Sequence, residues 1–324
     1  MRLVIVGAGA MGSIYAGRFS AVRNEATGDP EHEVWAVDPN RAHLDAIKHQ
    51  GLSLEGPAGR EVIQDIHVAA SPEGVNGKAD LVILATKANH VPATALALGP
   101  ILSDNTLVLA MQNGLGAAER VIENLPKDAP RPQVALGVAQ GFGASIEAPG
   151  EVKYANMRLM RFGETQDGES PRMEALAALW RQAGFEAQAF STLSQLIWEK
   201  FICNVTLSGP CTVFEKSVGQ MKAVPEQWRV ALACGLEAFE VGRALGVKFS
   251  FDDAQAYIEA FADSVAGAKP SMLQDFEAGR RSEIDVINGR VEIEAAKAGM
   301  DAPWNRAVSA IVRGKEAAVM QGAK

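Results

Sequence analysis

Arg2-Leu3-Val4-Ile5-Val6-Gly7-Ala8-Gly9-Ala10-Met11-Gly12 is the stretch that decides the fold. The apolar run Leu3 to Val6 reads as a buried parallel strand. It passes without a break into Gly-x-Gly-x-x-Gly, and each glycine has its own task. Gly7 permits a tight turn, Gly9 lets a pyrophosphate approach bare backbone, and Gly12 lets the next helix pack close to the strand. Past Ala10 a helix runs from Met11 onward, and its first N–H groups and positive dipole end attract phosphate. A glycine-rich turn alone says little. A strand before it and a helix after it point to dinucleotide binding.

Outward from this loop, the first half alternates strands with helical stretches. Val34 to Val37, Leu81 to Ala85, Leu107 to Ala110 and Val134 to Val138 read as strands. Ala93 to Leu98 and Ala117 to Asn124 read as helices, and Arg23–Glu31 as a surface loop. Glu151–Tyr154 and Met157–Phe162 read as a hairpin at the sheet edge, followed by a helix over Pro171 to Ala183 and a last strand over Glu186–Phe190. This alternation predicts an α/β, Rossmann-type doubly wound sheet. From about Ser191 helical periodicity takes over, in Gln195–Leu207, Glu226–Leu245, Phe251–Ala266, Met272–Glu277, Glu283–Lys297 and Trp304–Met320. The expected division is a dinucleotide-binding domain over 1–190 and an all-α substrate and catalytic domain over 191–324.

The chain of 324 residues is long enough for two cores. Its net charge of −8, with no long basic run, gives nucleic-acid binding little support. No apolar stretch is long enough to span a bilayer. The first apolar run is already the strand of the glycine loop, so no signal peptide is expected. Cys203, Cys211 and Cys234 have neither metal-ligand nor disulfide-framework spacing. They suit buried apolar positions in a reducing cytoplasm, and no metal site is expected. A homodimer is one arrangement that a helical second domain permits. No histidine follows His90, so an acid or base from the second half must be another residue type.

Asp38 ends the second strand. A carboxylate there accepts ribose hydroxyls and repels a 2′-phosphate, which favours NAD over NADP. A turn aspartate before Pro39 is the plainer alternative, and nearby Arg41 blurs the preference. Thr86-Lys87 and Gln112-Asn113-Gly114 fall just past strand ends, where doubly wound folds bind ligands. Lys87 can reach cofactor phosphates or substrate, and Asn113 the nicotinamide ribose or substrate. Either is also compatible with an ordinary loop polar group. In the apolar helix Leu196–Ser208, Lys200, Asn204 and Ser208 recur every fourth residue and share a face. Desolvation lowers a lysine pKa and makes its ammonium a better acid near neutral pH. A lysine snorkelling to solvent is the competing account. Ser271 reads as a helix cap with Gln274 as capping-box partner, and Ser282 as a second cap that puts Glu283 in a first helical turn.

Together these pieces resemble the ketopantoate reductase (2-dehydropantoate 2-reductase) family over nearly the whole chain. The matching elements are the glycine loop, Thr86-Lys87, Gln112-Asn113-Gly114, Lys200 with Asn204, and Ser271-Met272-Leu273-Gln274-Asp275 followed by Glu283-Ile284-Asp285. The resemblance implies a Rossmann domain, a helical domain, an active site in the cleft between them, and NAD(P)H as cofactor. It also implies that Lys200 is the general acid and Glu283 a catalytic-site carboxylate. Asn113, Asn204 and Ser271 match cofactor- and substrate-contacting positions. The residues agree with this. Reduction of a keto carbon builds charge on its oxygen, and a cation beside that oxygen stabilises the charge and delivers the proton. Glu283 would position Lys200 or a substrate hydroxyl.

Two positions depart from the family pattern. Ser208 stands where members often carry a second asparagine, and Ala268 where many carry an asparagine before the Ser-Met-Leu-Gln element. The family's usual cofactor is NADPH, with a basic residue near the end of the second strand, whereas this chain has Asp38-Pro39. The leading expectation is reduction of 2-dehydropantoate to pantoate. Oxidation of another 2-hydroxy acid with NAD is the near alternative, and a dinucleotide sensor without turnover the distant one.

Overall fold

The computed structural model describes residues 1–140, 143–155 and 159–322. Its backbone forms two compact units, Met1–Gln112 with Gly116–Leu193, and Asn113–Leu115 with Ser194–Lys324. The division falls after Leu193, a little beyond Ser191, and Asn113–Leu115 goes with the second unit.

The first unit runs β1 (Arg2–Val6), α1 (Ala10–Ser20), β2 (Glu33–Val37), α2 (Arg41–Gln50), β3 (Leu52–Gly56), β4 (Gly59–Ile63), β5 (Ile66–Ala69) and β6 (Leu81–Leu84). It continues with α3 (Val91–Ala97), β7 (Leu107–Ala110), α4 (Ala117–Asn124), β8 (Gln133–Gln140), β9 (Ala144–Ala148), β10 (Glu151–Tyr154), β11 (Leu159–Glu164), α5 (Pro171–Gln182) and β12 (Glu186–Ala189). The main sheet has the order β12-β11-β8-β7-β6-β1-β2-β5. Pairing is parallel from β8 through β5, antiparallel between β8 and β11, and parallel again between β11 and β12. Successive β1 side chains point to opposite faces. Leu3 and Ile5 enter one core with Phe19 and Trp180, while Val4 and Val6 enter another with Val82 and Leu98. Both faces are covered, which is why the opening strand is a continuous apolar run.

The chain leaves β1 toward β2 and β5, then returns to β6 on the other side of β1. That reversal is the topological switch point, and ligands of doubly wound sheets bind past the strand ends there. The fold is the expected Rossmann-type α/β arrangement, but its edge differs from the expected one. Glu151–Tyr154 and the strand after it are not a hairpin. β10 lies in a second sheet of order β4-β3-β10-β9, while β11 pairs with β8 and β12 in the main sheet. Met157, where the second half of that hairpin was expected to start, lies outside the described residues. The small sheet packs its apolar face, with Leu52, Leu54, Ile63 and Val152, into the same core as α1. A Cβ on Gly17 of α1 would come within 2.8 Å of Leu54 and 2.9 Å of Ile63. Packing against this sheet on one side and the main sheet on the other makes α1 buried almost all round.

Among the described residues the second unit's secondary structure is all helix: α6 (Leu193–Phe214), α7 (Val218–Lys222), α8 (Pro225–Ala244), α9 (Ala254–Ser264), α10 (Ser271–Glu277), α11 (Asn288–Lys297) and α12 (Pro303–Gly322). The single helix expected over Glu283–Lys297 is broken. A 3-10 turn covers Ile284–Val286, and Ile287 at φ −109°, ψ −97° leaves helical geometry before α11 begins. Buried Asn288 spends its side-chain amide on the Val205 carbonyl and the Asn305 amide oxygen, both at 2.9 Å. The capping box at α10 also fails to form. Pro270 is the cap, Ser271 is the first helical residue, and the Gln274 amide donates instead to the Lys269 carbonyl at 2.8 Å.

Candidate active site

In the first unit the site begins where β1 ends. Gly7 takes φ +96°, and its N–H and that of Ala8 both donate to the Val37 carbonyl, at 2.8 and 3.1 Å. The turn is thereby bolted to the end of β2. A Cβ on Gly7 would lie 2.6 Å from the Thr86 nitrogen, so this glycine lets the loops after β1 and β6 meet at the switch point. A Cβ on Gly12 would lie 2.1 Å from the Gly7 carbonyl oxygen. Gly9 is different, since its Cβ would meet nothing within 4 Å. No neighbour in the protein requires a glycine there, which fits a position kept bare for a ligand. The first-turn N–H groups of α1, on Ala10, Met11 and Gly12, have no carbonyl one turn back to bond. No acidic residue stands in that turn to compete for an anion. These residues fit a dinucleotide pyrophosphate.

Asp38, half-buried past β2, accepts the Asn40 N–H on one carboxylate oxygen at 2.9 Å. This turn contact occupies one of its two carboxylate oxygens. Lys87 is exposed at the start of the 3-10 turn after β6. Gln112 has a task not legible in the sequence. Its amide donates to the carbonyls of Leu84 at 2.8 Å and Thr86 at 3.2 Å, tying the loops after β6 and β7 together.

In the second unit α6 carries Lys200, Asn204 and Ser208 at four-residue spacing. Lys200 and Asn204 are half-buried and Ser208 is buried, with the intervening Phe201, Ile202, Cys203 and Val205 all in the core. Glu283 is buried beside the Ile284–Val286 turn. Ser282 caps that turn, its hydroxyl accepting the Ile284 N–H at 3.3 Å, while the Ser282 N–H donates to the Glu316 carboxylate at 2.8 Å. Glu283 thus precedes the turn rather than lying within a helix. Gly114, at φ +85°, packs so close to this turn that a Cβ would lie 2.4 Å from the Val286 carbonyl oxygen. The fold therefore brings the Asn113-Gly114 backbone to the segment that carries Glu283. Ser271 is exposed at the start of α10.

Burial pulls the Lys200 pKa down to about 8, and the nearby Glu283 charge opposes the shift without cancelling it. Near neutral pH the ammonium is charged but close to giving up its proton. That combination is what a general acid needs. Burial pushes the thiols of Cys203 and Cys211 up to about 12, and that of Cys234 up as well. They are unreactive core residues. Among the described residues no helix is long and apolar enough to cross a membrane.

Comparison with known proteins points to one family. The sequence pattern described as "Ketopantoate reductase PanE/ApbA" matches residues 3–167, and its "C terminal" counterpart matches residues 192–316. A 2-dehydropantoate 2-reductase of Archaeoglobus fulgidus is 28% identical over 315 residues, 97% of this chain and 98% of that one. The crystal structure of a PanE/ApbA family ketopantoate reductase from Ralstonia eutropha JMP134 superposes with a TM-score of 0.87 at 28% identity, covering 99% of this chain and 100% of its own. A D-mandelate dehydrogenase in complex with NADH and anilino(oxo)acetate shares the fold, with a TM-score of 0.83 at 23% identity, covering 98% and 99% of the two chains. With both halves matched in order and full-length relatives named 2-dehydropantoate 2-reductase, this chain belongs to the ketopantoate reductase family and is a nicotinamide-dinucleotide-dependent oxidoreductase.

Proposed function

We propose that this chain reduces 2-dehydropantoate to pantoate, with Lys200 as general acid. The observation that carries the reading is Lys200 itself, a half-buried lysine with its pKa lowered to about 8 beside Glu283. A bound nicotinamide dinucleotide supplies the hydride. Lys200 places positive charge where the substrate oxygen becomes negative, then passes its proton to that oxygen. Glu283 keeps the ammonium charged before the step. Asn204, one turn along the same helix face, binds a substrate hydroxyl or carboxylate. Ser208 and Ser271 are further substrate contacts, and Lys87 and Asn113 hold the cofactor. Full-length relatives named 2-dehydropantoate 2-reductase support the substrate. Three buried, unpaired cysteines suit a reducing cytoplasm.

Turnover of another 2-hydroxy acid is the second reading. Ser208 and Ala268 replace amides with shorter groups, so fewer fixed hydrogen bonds select the substrate hydroxyl. A protein of the same fold is a D-mandelate dehydrogenase, named for another 2-hydroxy acid. Ketopantoate is expected to be accepted, but with less than about 10⁴-fold advantage in kcat/KM over 2-ketoisovalerate, which lacks the hydroxyl. Ala268→Asn, at an exposed position, should widen the margin. An asparagine at buried Ser208 would instead overpack the helix. Turnover of a bulkier keto acid with neither of these two would replace the ketopantoate assignment.

Asp38 sets the cofactor preference in the same reading. Its second carboxylate oxygen accepts a ribose hydroxyl and repels a 2′-phosphate. NADPH is therefore expected to lose about 1–3 kcal/mol relative to NADH, the scale of a charged hydrogen bond. Steady-state kcat/KM with each dinucleotide checks this, and a ten-fold or larger preference for NADPH overturns it.

A further inference from the structure

His43 is fully buried on α2, and its ring nitrogens have two different partners. Nδ1 accepts the Gly150 N–H at 3.0 Å. Nε2 lies 3.0 Å from the Ser13 hydroxyl oxygen. That hydroxyl in turn donates to the Ala8 carbonyl at 3.1 Å. These partners define one proton arrangement. Nδ1 must be bare to accept from Gly150, so Nε2 carries the proton. With the Ser13 hydrogen committed to Ala8, the Nε2–H donates to Ser13. Burial lowers the His43 pKa, against the opposing charge of Asp38, and keeps the ring in this neutral form.

The relay ends inside the glycine loop. The Ala8 carbonyl and the Gly9 N–H belong to one trans peptide, so they point in opposite directions. Holding the carbonyl on Ser13 therefore points the Gly9 N–H away from Ser13. A flipped peptide would aim a carbonyl at an incoming phosphate. The Ala8 N–H on Val37 fixes the preceding peptide. The Ser13 hydroxyl fixes this one, and its direction is set by the donor behind it.

We propose that His43 is a positioning residue for the cofactor. Acting through Ser13, it locks the Ala8–Gly9 peptide so that the Gly9 N–H donates to the dinucleotide pyrophosphate. The proposal rests on the glycine loop being the pyrophosphate site. It also assigns the two ring nitrogens different work: Nε2 serves the loop, and Nδ1 holds the Gly150 turn.

The test separates the two arms by direct titration of NADH and NADPH, read by nicotinamide fluorescence. Gln at position 43 places its amide near the Nε2 position and keeps a donor to Ser13. Asn places its amide near Nδ1 and keeps only the Gly150 contact. His43→Asn and Ser13→Ala are expected to weaken dinucleotide binding about five- to ten-fold, the range of one hydrogen bond. His43→Gln is expected to stay within about two-fold of wild type. Thermal melts of the Asn and Gln variants should fall by similar amounts, because each loses one buried contact. Equal weakening by Gln and Asn, or unchanged binding in Ser13→Ala, overturns the proposal. Wild-type protein that binds neither dinucleotide overturns the cofactor reading beneath it, a result distinct from both.

Discussion

Lys200→Ala is expected to lower kcat by roughly 10²–10⁴-fold, the scale of a positioned proton donor. Dinucleotide binding should persist, because the glycine loop is untouched. The pH profile carries the more specific signature. A general acid works in its protonated form, so kcat/KM should fall as pH rises through about 8, where Lys200 gives up its proton. Glu283 raises that pKa, so Glu283→Gln should move the alkaline limb to lower pH. Lys200→Arg keeps a cation but cannot give up its proton in this range, so it should not restore the rate. Near-normal kcat in Lys200→Ala would make this lysine structural or merely substrate-binding, and Lys87 would become the candidate.

Two glycines of the loop should fail in opposite ways. Gly12→Ala forces a Cβ to 2.1 Å from the backbone oxygen of Gly7, and backbone cannot swing aside as a flexible side chain does. A loss of about 1–3 kcal/mol or more in stability is expected, visible as a lowered Tm, together with loss of dinucleotide binding. Gly9→Ala meets no protein atom within 4 Å, so its Tm should stay near wild type. Its methyl group enters the space proposed for the pyrophosphate, and binding should weaken about a hundred-fold, equivalent to about 2.7 kcal/mol. If Gly9→Ala binds both dinucleotides as tightly as wild type, the bare space in front of Gly9 is not where the phosphates lie.

The apolar run Leu3–Val6 and its glycine spacing determined the Rossmann unit locally. A two-sided buried strand needs apolar residues on both faces, and the turn after it needs particular glycines. The four-residue recurrence of Lys200, Asn204 and Ser208 likewise needed only helical geometry to be legible. Three features waited for the tertiary structure. The small sheet of β3, β4, β9 and β10 is written in half-polar strands such as Leu52-Ser53-Leu54-Glu55-Gly56, whose pairing depends on segments almost a hundred residues apart. The break before α11 depends on where buried Asn288 finds partners, on α6 and α12. The work of His43 depends on α1, α2 and the Gly150 turn meeting around one ring. Periodicity and spacing record what a residue does to its own element. A hydrogen bond between distant elements leaves no such mark, because any residue with the right atoms can supply it once the fold has brought them together.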